Sequence, residues 1–366
     1  MKILLVAKYF YPIKGGIETV VYETAKCLKN LGNEVTVVTV GKKSKETING
    51  INIIRTPALF SISGEPAAIG FFKEIMKLDF DICHLQAPNP FQNIMAVAAC
   101  ILKKKPWIVA YQSDIIRFSP IMKAVNWVYK NTIQRPIILK MAKKVLASSP
   151  PYLKGSSTLK GLKNTGVLQN SIKIRSVEKK EKQENNILFV GRIIYYKGIG
   201  YLVKSMKEVV EQVPSAKLTI VGNGNLRREM EKLSKDLKLE NNIIFAGEVS
   251  EEELQDHYKN TDIFVFPSIY KSEAFGMVQL EAMMNEKPII STKIKDSGVS
   301  WVNKDGVSGI TINPMDHKEL SDAIIKLLKD KKLRIKYGKG GRKRLEDEFD
   351  IKKLTKKLLE IYKECI

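Results

Sequence analysis

Short apolar runs recur along the chain, each followed by a segment of helical periodicity, and that alternation limits the folds open to it. In the amino-terminal half "MKILLVA", "EVTVVTV", "DICHL", "WIVAY" and "KVLASS" read as strands. Amphipathic stretches such as "GIETVVYETAKCLKNLG" separate them, and that one stops on Gly32 as a helix should. The carboxyl-terminal half repeats the pattern with "NILFVGR", "KLTIVGNG", "NIIFAGEV", "DIFVFPS", "PIIST" and "GITI". Continuous apolar strands between helices form parallel sheets covered on both faces. The 366 residues are long for one core. The expectation is therefore an α/β chain of two doubly wound domains: residues 1–170, a polar linker at 171–186, residues 187–345, and a terminal amphipathic helix within 346–366. Ligands of open parallel sheets bind beyond the carboxyl ends of the strands, so the site is expected in a cleft where two sets of strand ends face each other.

Charge narrows the partners. The net charge is +22, and residues 1–170 carry 24 Lys/Arg against 9 Asp/Glu. A field of that sign suits a membrane surface, a diphosphate or nucleic acid. A Lys-rich proteome would give the same balance without any partner. No nucleic-acid module is recognisable, and the basic residues are not interleaved with a stacking platform. The four cysteines form no CxxC, and with three histidines no zinc framework is expected. The opening "MKILLVAKYFYP" is too short in its apolar run for a signal peptide. The longest apolar run, "IMAVAACIL", is about half a membrane span. A cytoplasmic or peripheral protein is the expectation.

Four strand-to-helix turns carry the candidate chemistry. In "YFYPIKGGIETVV", Gly15 and Gly16 precede a helix whose amino terminus can meet an anion, although a plain turn looks the same. In "VGRIIYYKG", Arg192 and Lys197 follow a strand, as cations for a diphosphate or as a solvated basic loop. "VGNGNLRREM" places Gly222 in a similar turn. The fourth, "FPSIYKSEAFGMVQLEAM", sets Glu273 in a loop and Glu281 in the early turns of an otherwise apolar helix. Isolated buried carboxylates are costly, so two of them point to a ligand with hydroxyl groups, such as a sugar or ribose.

This last stretch resembles the glutamate–seven residues–glutamate motif of the retaining glycosyltransferases of family 4, which have two Rossmann-like domains facing across a cleft (the GT-B fold). "GGIE", "VGR…KG", "VGNG", "GVSWVNKDGVSGITI" and the closing "GRKRLEDEFD" follow in the family's order over nearly the whole chain. The resemblance implies an amino-terminal domain that binds acceptor and a carboxyl-terminal domain that binds a nucleotide-sugar. It implies that Gly15 and Gly16 face the donor diphosphate, that Arg192 and Lys197 neutralise it as it leaves, and that Glu273 holds sugar hydroxyls. Glu281 would hold the ribose, with Gly222 and the backbone of Phe275, Gly276, Met277 and Val278 lining the donor. Gln112 and Asp114, in "YQSD", would lie near the sugar or acceptor. Many relatives have a histidine where this chain has Gln112, and glutamine hydrogen-bonds but cannot shuttle a proton. A second departure is "GVLQNSI", where relatives often read "viPnGi".

The implied reaction is a metal-independent, retaining hexosyl transfer from a GDP- or UDP-sugar, with the leaving phosphate taking the acceptor proton. No cofactor is expected. The D-x-D at Asp79–Phe80–Asp81 reads as a loop opening the "ICHL" strand rather than as a metal site. "FSPIMKAVNWVYKNTIQRPIILKMAKK" mixes apolar and basic residues and holds no acid, the composition of an interfacial segment or of two ordinary core helices. If interfacial, it implies an anionic membrane surface on the cytoplasmic face and a glycan or polyprenyl-diphosphate-linked acceptor in envelope polysaccharide synthesis. The alternatives are a sugar-nucleotide-binding protein without transfer and a sugar-nucleotide epimerase.

Overall fold

The computed structural model describes residues 1–13, 15–62, 64–115, 119–177 and 185–366. Of the expected 171–186 linker, residues 178–184 lie outside the described residues, as do Lys14 of the glycine loop and Phe118 of the basic segment. The chain divides into two compact units, Met1–Lys173 with Ile351–Ile366, and Ile174–Asp350.

The first unit opens with β1 (Lys2–Val6), α1 (Gly16–Asn30) and β2 (Glu34–Val40). An antiparallel pair, β3 (Ser44–Ile48) and β4 (Ile51–Thr56), and a small hairpin, β5 (Phe60–Ile62) and β6 (Glu65–Ala67), follow. Next come α2 (Gly70–Met76), β7 (Ile82–Ala87), α3 (Pro90–Leu102), β8 (Trp107–Tyr111) and α4 (Pro120–Tyr129). A π-helical run, Lys130–Leu139, continues α4, and then β9 (Lys144–Ala147), α5 (Pro150–Gly155) and β10 (Thr165–Val167) finish the sheet. Among the described residues that sheet has eight strands in the order β10-β9-β8-β7-β1-β2-β4-β3, parallel except for β3. β1 sits at its centre, with Ile3 in register with Val35 of β2 and Ile82 of β7. Such a strand is buried on both faces, which is why "ILLV" reads as one continuous apolar run.

The second unit runs β11 (Asn186–Val190), α6 (Ile199–Gln212), β12 (Lys217–Val221), α7 (Arg227–Asp236), β13 (Ile243–Gly247) and α8 (Glu251–Asn260). It continues with β14 (Ile263–Phe266), α9 (Met277–Met284), β15 (Ile289–Thr292), α10 (Val299–Val302) and β16 (Gly309–Ile312). Helices α11 (His317–Lys329) and α12 (Lys331–Glu348) close it. Its sheet has the order β13-β12-β11-β14-β15-β16, all parallel among the described residues. The strand order reverses between β11 and β14, the switch point at which sheets of this kind take ligands.

The last helix, α13 (Ile351–Cys365), belongs to the first unit. Its Leu358, Tyr362 and Cys365 share a core with Val21, Ala25 and Leu28 of α1. Burying each large apolar side chain there is worth about 1.5–3 kcal/mol. The Tyr362 hydroxyl also lies 2.6 Å from Nδ1 of His84 in β7, and burial pushes that imidazole down to about 4. No described helix is long and apolar enough to cross a membrane.

In α4 no residue is buried. Ile121 is 75% exposed and Trp127 66% exposed, with Val125 and Val128 also in solvent. The burial that the core-helix alternative requires appears only in the π-helical run that follows, where Gln134, Ile138 and Leu139 are buried.

Candidate functional site

In the second unit the turns after β11 and β14 are tied together. Gly198, at the start of α6, has φ +70°, and a side chain there would run into the Pro267 carbonyl. The Ile269 amide donates to the Tyr196 carbonyl at 2.8 Å. That close approach carries Lys197 to Glu273, and Nζ forms an ion pair with Oε2. Both side chains are only 12% exposed. Ser268 donates to the same carboxylate oxygen at 3.3 Å, and Nζ lies 4.9 Å from the centroid of the Phe266 ring. Arg192 extends from the same turn into solvent, its guanidinium 3.1 Å from the Tyr196 hydroxyl.

The loop that holds Glu273 is clamped from its other side. Ser297 donates through its hydroxyl to the Glu273 carbonyl, and the Gly298 amide donates to the Ala274 carbonyl at 2.8 Å. Phe275 packs edge-on to Phe349, centroids 5.8 Å apart, and at 6.5 Å from Trp301. Arg344 stacks over both Trp301 and Phe349. Sequence reasoning singled out "GVSW" and "EDEFD" as motifs without seeing that Trp301 and Phe349 brace Phe275.

Helix α9 then begins at Gly276, whose φ of +82° and contact with Phe266 leave no room for a side chain. Among the described residues no side chain caps this end of α9. Met277 and Val278 in its first turn are half-buried, and Glu281 follows in the second. Glu281 Oε2 is buried without a hydrogen-bond partner among the described residues. Burial raises its carboxyl to about 7, against the opposing pull of the Tyr258 hydroxyl.

Gly222, after β12, has φ +122° and packs against the Gly191 carbonyl, so the "VGNG" and "VGR" turns touch through their backbones. Its glycine requirement has this packing cause. A cavity of about 910 Å³ elsewhere in this unit is lined by Asp262, Asn285, Lys287 and Pro288, before the starts of β14 and β15. It therefore lies at the opposite end of the strands from Lys197 and Glu273.

In the first unit Gly15 and Gly16 are exposed at the start of α1, and the Glu18 carboxylate lies over Gly15. Gln112 follows β8 and is 9% exposed. Its Oε1 accepts from Asn170 Nδ2 at 2.9 Å, and its Nε2 donates to Gln86 Oε1 at 3.2 Å. Asp114 is tied down locally: Oδ1 accepts from the Tyr111 and Ser156 hydroxyls at 2.8 and 2.6 Å. Asp79 and Asp81 stand before β7, where Lys2 engages both, Asp79 through Nζ at 2.6 Å and Asp81 through its amide at 2.7 Å.

Two parallel, doubly wound units with glycine turns at their strand ends define a GT-B protein, and known structures agree. Anabaena Alr3699/HepE, solved in complex with UDP and glucose, superposes with a TM-score of 0.79 at 18% identity, covering 100% of both chains. Residues 14–166 match Glycosyltransferase Family 4, and residues 170–344 match Glycosyl transferases group 1. The O-antigen chain mannosyltransferase C of Escherichia coli is 30% identical over 380 residues, covering 99% of this chain and 98% of that one. The D-rhamnosyltransferase WbpZ of Pseudomonas aeruginosa is 27% identical over 322 residues, covering 84% and 81%. The chain belongs to this family of glycosyltransferases.

Proposed function

We propose that the protein moves a hexose, with retention, from a GDP- or UDP-sugar to a glycan or lipid-linked glycan acceptor in envelope polysaccharide synthesis. The observation that carries the reading is Glu281 Oε2, buried and unpartnered on a helix whose preceding loop presents Glu273. A ribose hydroxyl donated to that oxygen would relieve its isolation and favour the ionised form. Glu273 would accept from sugar hydroxyls. Lys197, Arg192 and the uncapped first turn of α9 would take up the diphosphate charge. For the first unit the same reading proposes Gly15 and Gly16 as backbone groups for the diphosphate and Gln112 as a sugar contact.

In the proposed step the C1–phosphate oxygen bond breaks as the acceptor oxygen bonds C1 from the same face. The acceptor proton passes to the departing phosphate oxygen, since the Gln112 carboxamide cannot take it. The charge on the diphosphate is met by protein cations, so no metal is required. The mannosyl- and rhamnosyltransferase relatives support an envelope-glycan acceptor. The exposed apolar residues of α4, beside Lys123 and Lys130, support docking on an anionic membrane surface at the cytoplasmic face.

Incubation of the protein with GDP- and UDP-hexoses and a lipid-linked glycan, in EDTA, tests the reading. Proton NMR of the product is expected to show the donor's anomeric configuration. An inverted anomer, or activity abolished by EDTA and restored by manganese, contradicts it.

A further inference from the structure

Three buried carboxamides meet at the carboxyl end of the first unit's sheet. Gln86 lies near the end of β7, Gln112 just after β8 and Asn170 just after β10, and they are 7%, 9% and 8% exposed. A carboxamide carries two N–H donors and one oxygen acceptor. Buried polar groups of this kind are normally all satisfied by fixed partners. Here Asn170 donates to Gln112 Oε1 at 2.9 Å, and Gln112 Nε2 donates to Gln86 Oε1 at 3.2 Å. The backbones are held as well: the Gln112 amide donates to the Ala87 carbonyl at 2.8 Å, and Asn93 Nδ2 donates to the Gln86 carbonyl at 3.0 Å. Gln112 thus has an acceptor on one side and a donor on the other. The second N–H of its Nε2 carries no bond among the described residues.

We infer that Gln86 and Asn170 are positioning residues that set the Gln112 carboxamide in one orientation, with a free N–H offered to a substrate oxygen. The inference rests on the proposed transfer reaction, in which Gln112 contacts the sugar. It goes beyond that reading by naming what sets the contact and which side chains position 112 accepts. One donor and one acceptor suit a neutral amide. They also accept a neutral imidazole, whose one N–H and one lone pair are then both spent, leaving no N–H for substrate. They disfavour a carboxylate, which has no hydrogen for Gln86 Oε1, and an imidazolium, which has no lone pair for Asn170. A cavity of about 40 Å³ beside the three, also lined by Thr24, His84 and Thr355, has room for ordered water. His84 Nε2 and Thr355 Oγ1 are buried there without hydrogen-bond partners among the described residues.

A double-mutant cycle on transfer tests the inference. Asn170→Ala and Gln86→Met are each expected to lower kcat about tenfold, with affinity for the free nucleotide diphosphate held within twofold. In a Gln112→Ala background neither should lower kcat further. Multiplicative losses in that background would overturn the claim, because they would mean that residues 86 and 170 act without Gln112. Gln112→His, with both ring nitrogens spent on Gln86 and Asn170, is expected to lower kcat about tenfold and to gain an acid limb in its pH profile that wild type lacks. Gln112→Glu should be the poorer enzyme at neutral pH. If Asn170→Ala does not fold, Gln86→Met carries the same cycle. If wild type turns over no sugar nucleotide, the transfer reading has failed. The positioning claim is then decided by the Gln112 side-chain amide in protein labelled with [15N]glutamine. Slow solvent exchange in wild type, lost in Gln86→Met, supports it, and exchange unchanged by that substitution refutes it.

Discussion

Lys197 and Glu273, 76 residues apart, form an ion pair that is nine-tenths enclosed, at the carboxyl ends of two neighbouring strands. The pair exists because Gly198 lets the turn after β11 lie against Pro267 at the end of β14. Each residue thereby neutralises the other when no substrate is present. Removing one partner strands the other charge in an enclosed site, at about 3 kcal/mol. Lys197→Ala is expected to destabilise by roughly that amount and to lower kcat on the order of a hundredfold. The double variant Lys197→Met, Glu273→Gln should recover most of the stability in urea melts while remaining inactive. Recovery of activity along with stability would show that the pair is only structural.

Glu281 gives a pH signature. Burial pushes its carboxyl up to about 7, from an ordinary value of about 4.5. The folded state therefore holds a proton that the unfolded chain has released, and stability falls as pH rises from about 4.5 to 7. Glu281→Gln abolishes that loss. The variant should match wild type near pH 4.5 and exceed it at pH 8 by on the order of 3 kcal/mol. Urea melts at the two pH values check the sign. A variant less stable than wild type at pH 8 would mean that the carboxylate is satisfied in the fold.

The Phe275–Trp301–Phe349 cluster is expected to set the shape of the Glu273 loop. Phe349→Ala should cost about 3–5 kcal/mol as a large-to-small core change. Phe349→Leu, which keeps more volume, should fold and show a raised KM for the sugar nucleotide, because Phe275 loses its edge-on neighbour. Steady-state kinetics on the leucine variant would reveal a purely structural cluster by an unchanged KM.

Helix α4 offers a prediction independent of the proposed donor site. Trp127 and Ile121 stand in solvent, so Trp127→Asp and Ile121→Asp should move stability by no more than about 0.5 kcal/mol. Both should abolish co-sedimentation with anionic vesicles at low salt. A wild type that stays in the supernatant would remove the membrane from the proposal.

Much of this architecture is legible in the sequence because burial on both faces writes each central parallel strand as an unbroken apolar run. The edge strand β3 escaped that reading, since "SKETI" is mostly exposed and carries no such run. Local turn chemistry was equally plain: the start of α9 at Met277 and the end of α1 before Gly32 follow from their glycines. Contacts between distant segments were not. Nothing in "YQSD" says that Gln112 would be gripped by Gln86 and Asn170, or in "LEDEFD" that Phe349 would prop Phe275. Hydrogen-bond partners and aromatic packing are set by how strand ends meet, and one-dimensional periodicity carries no record of that. Glu281 is intermediate: an apolar helix around a carboxylate signalled a burial cost, whereas the missing partner became visible only in the fold.

The central claim is that Glu281 and its helix form the nucleotide half of a donor site. It is tested most directly by a thermal-shift panel of GDP, UDP and their hexose conjugates on wild type and Glu281→Ala. A ligand at about a hundred times its Kd stabilises by roughly 2.7 kcal/mol, a readable shift. The expected result is stabilisation of wild type by one nucleotide family and its loss in the variant. Wild type unmoved by every nucleotide, or a variant that responds as wild type does, would contradict the claim.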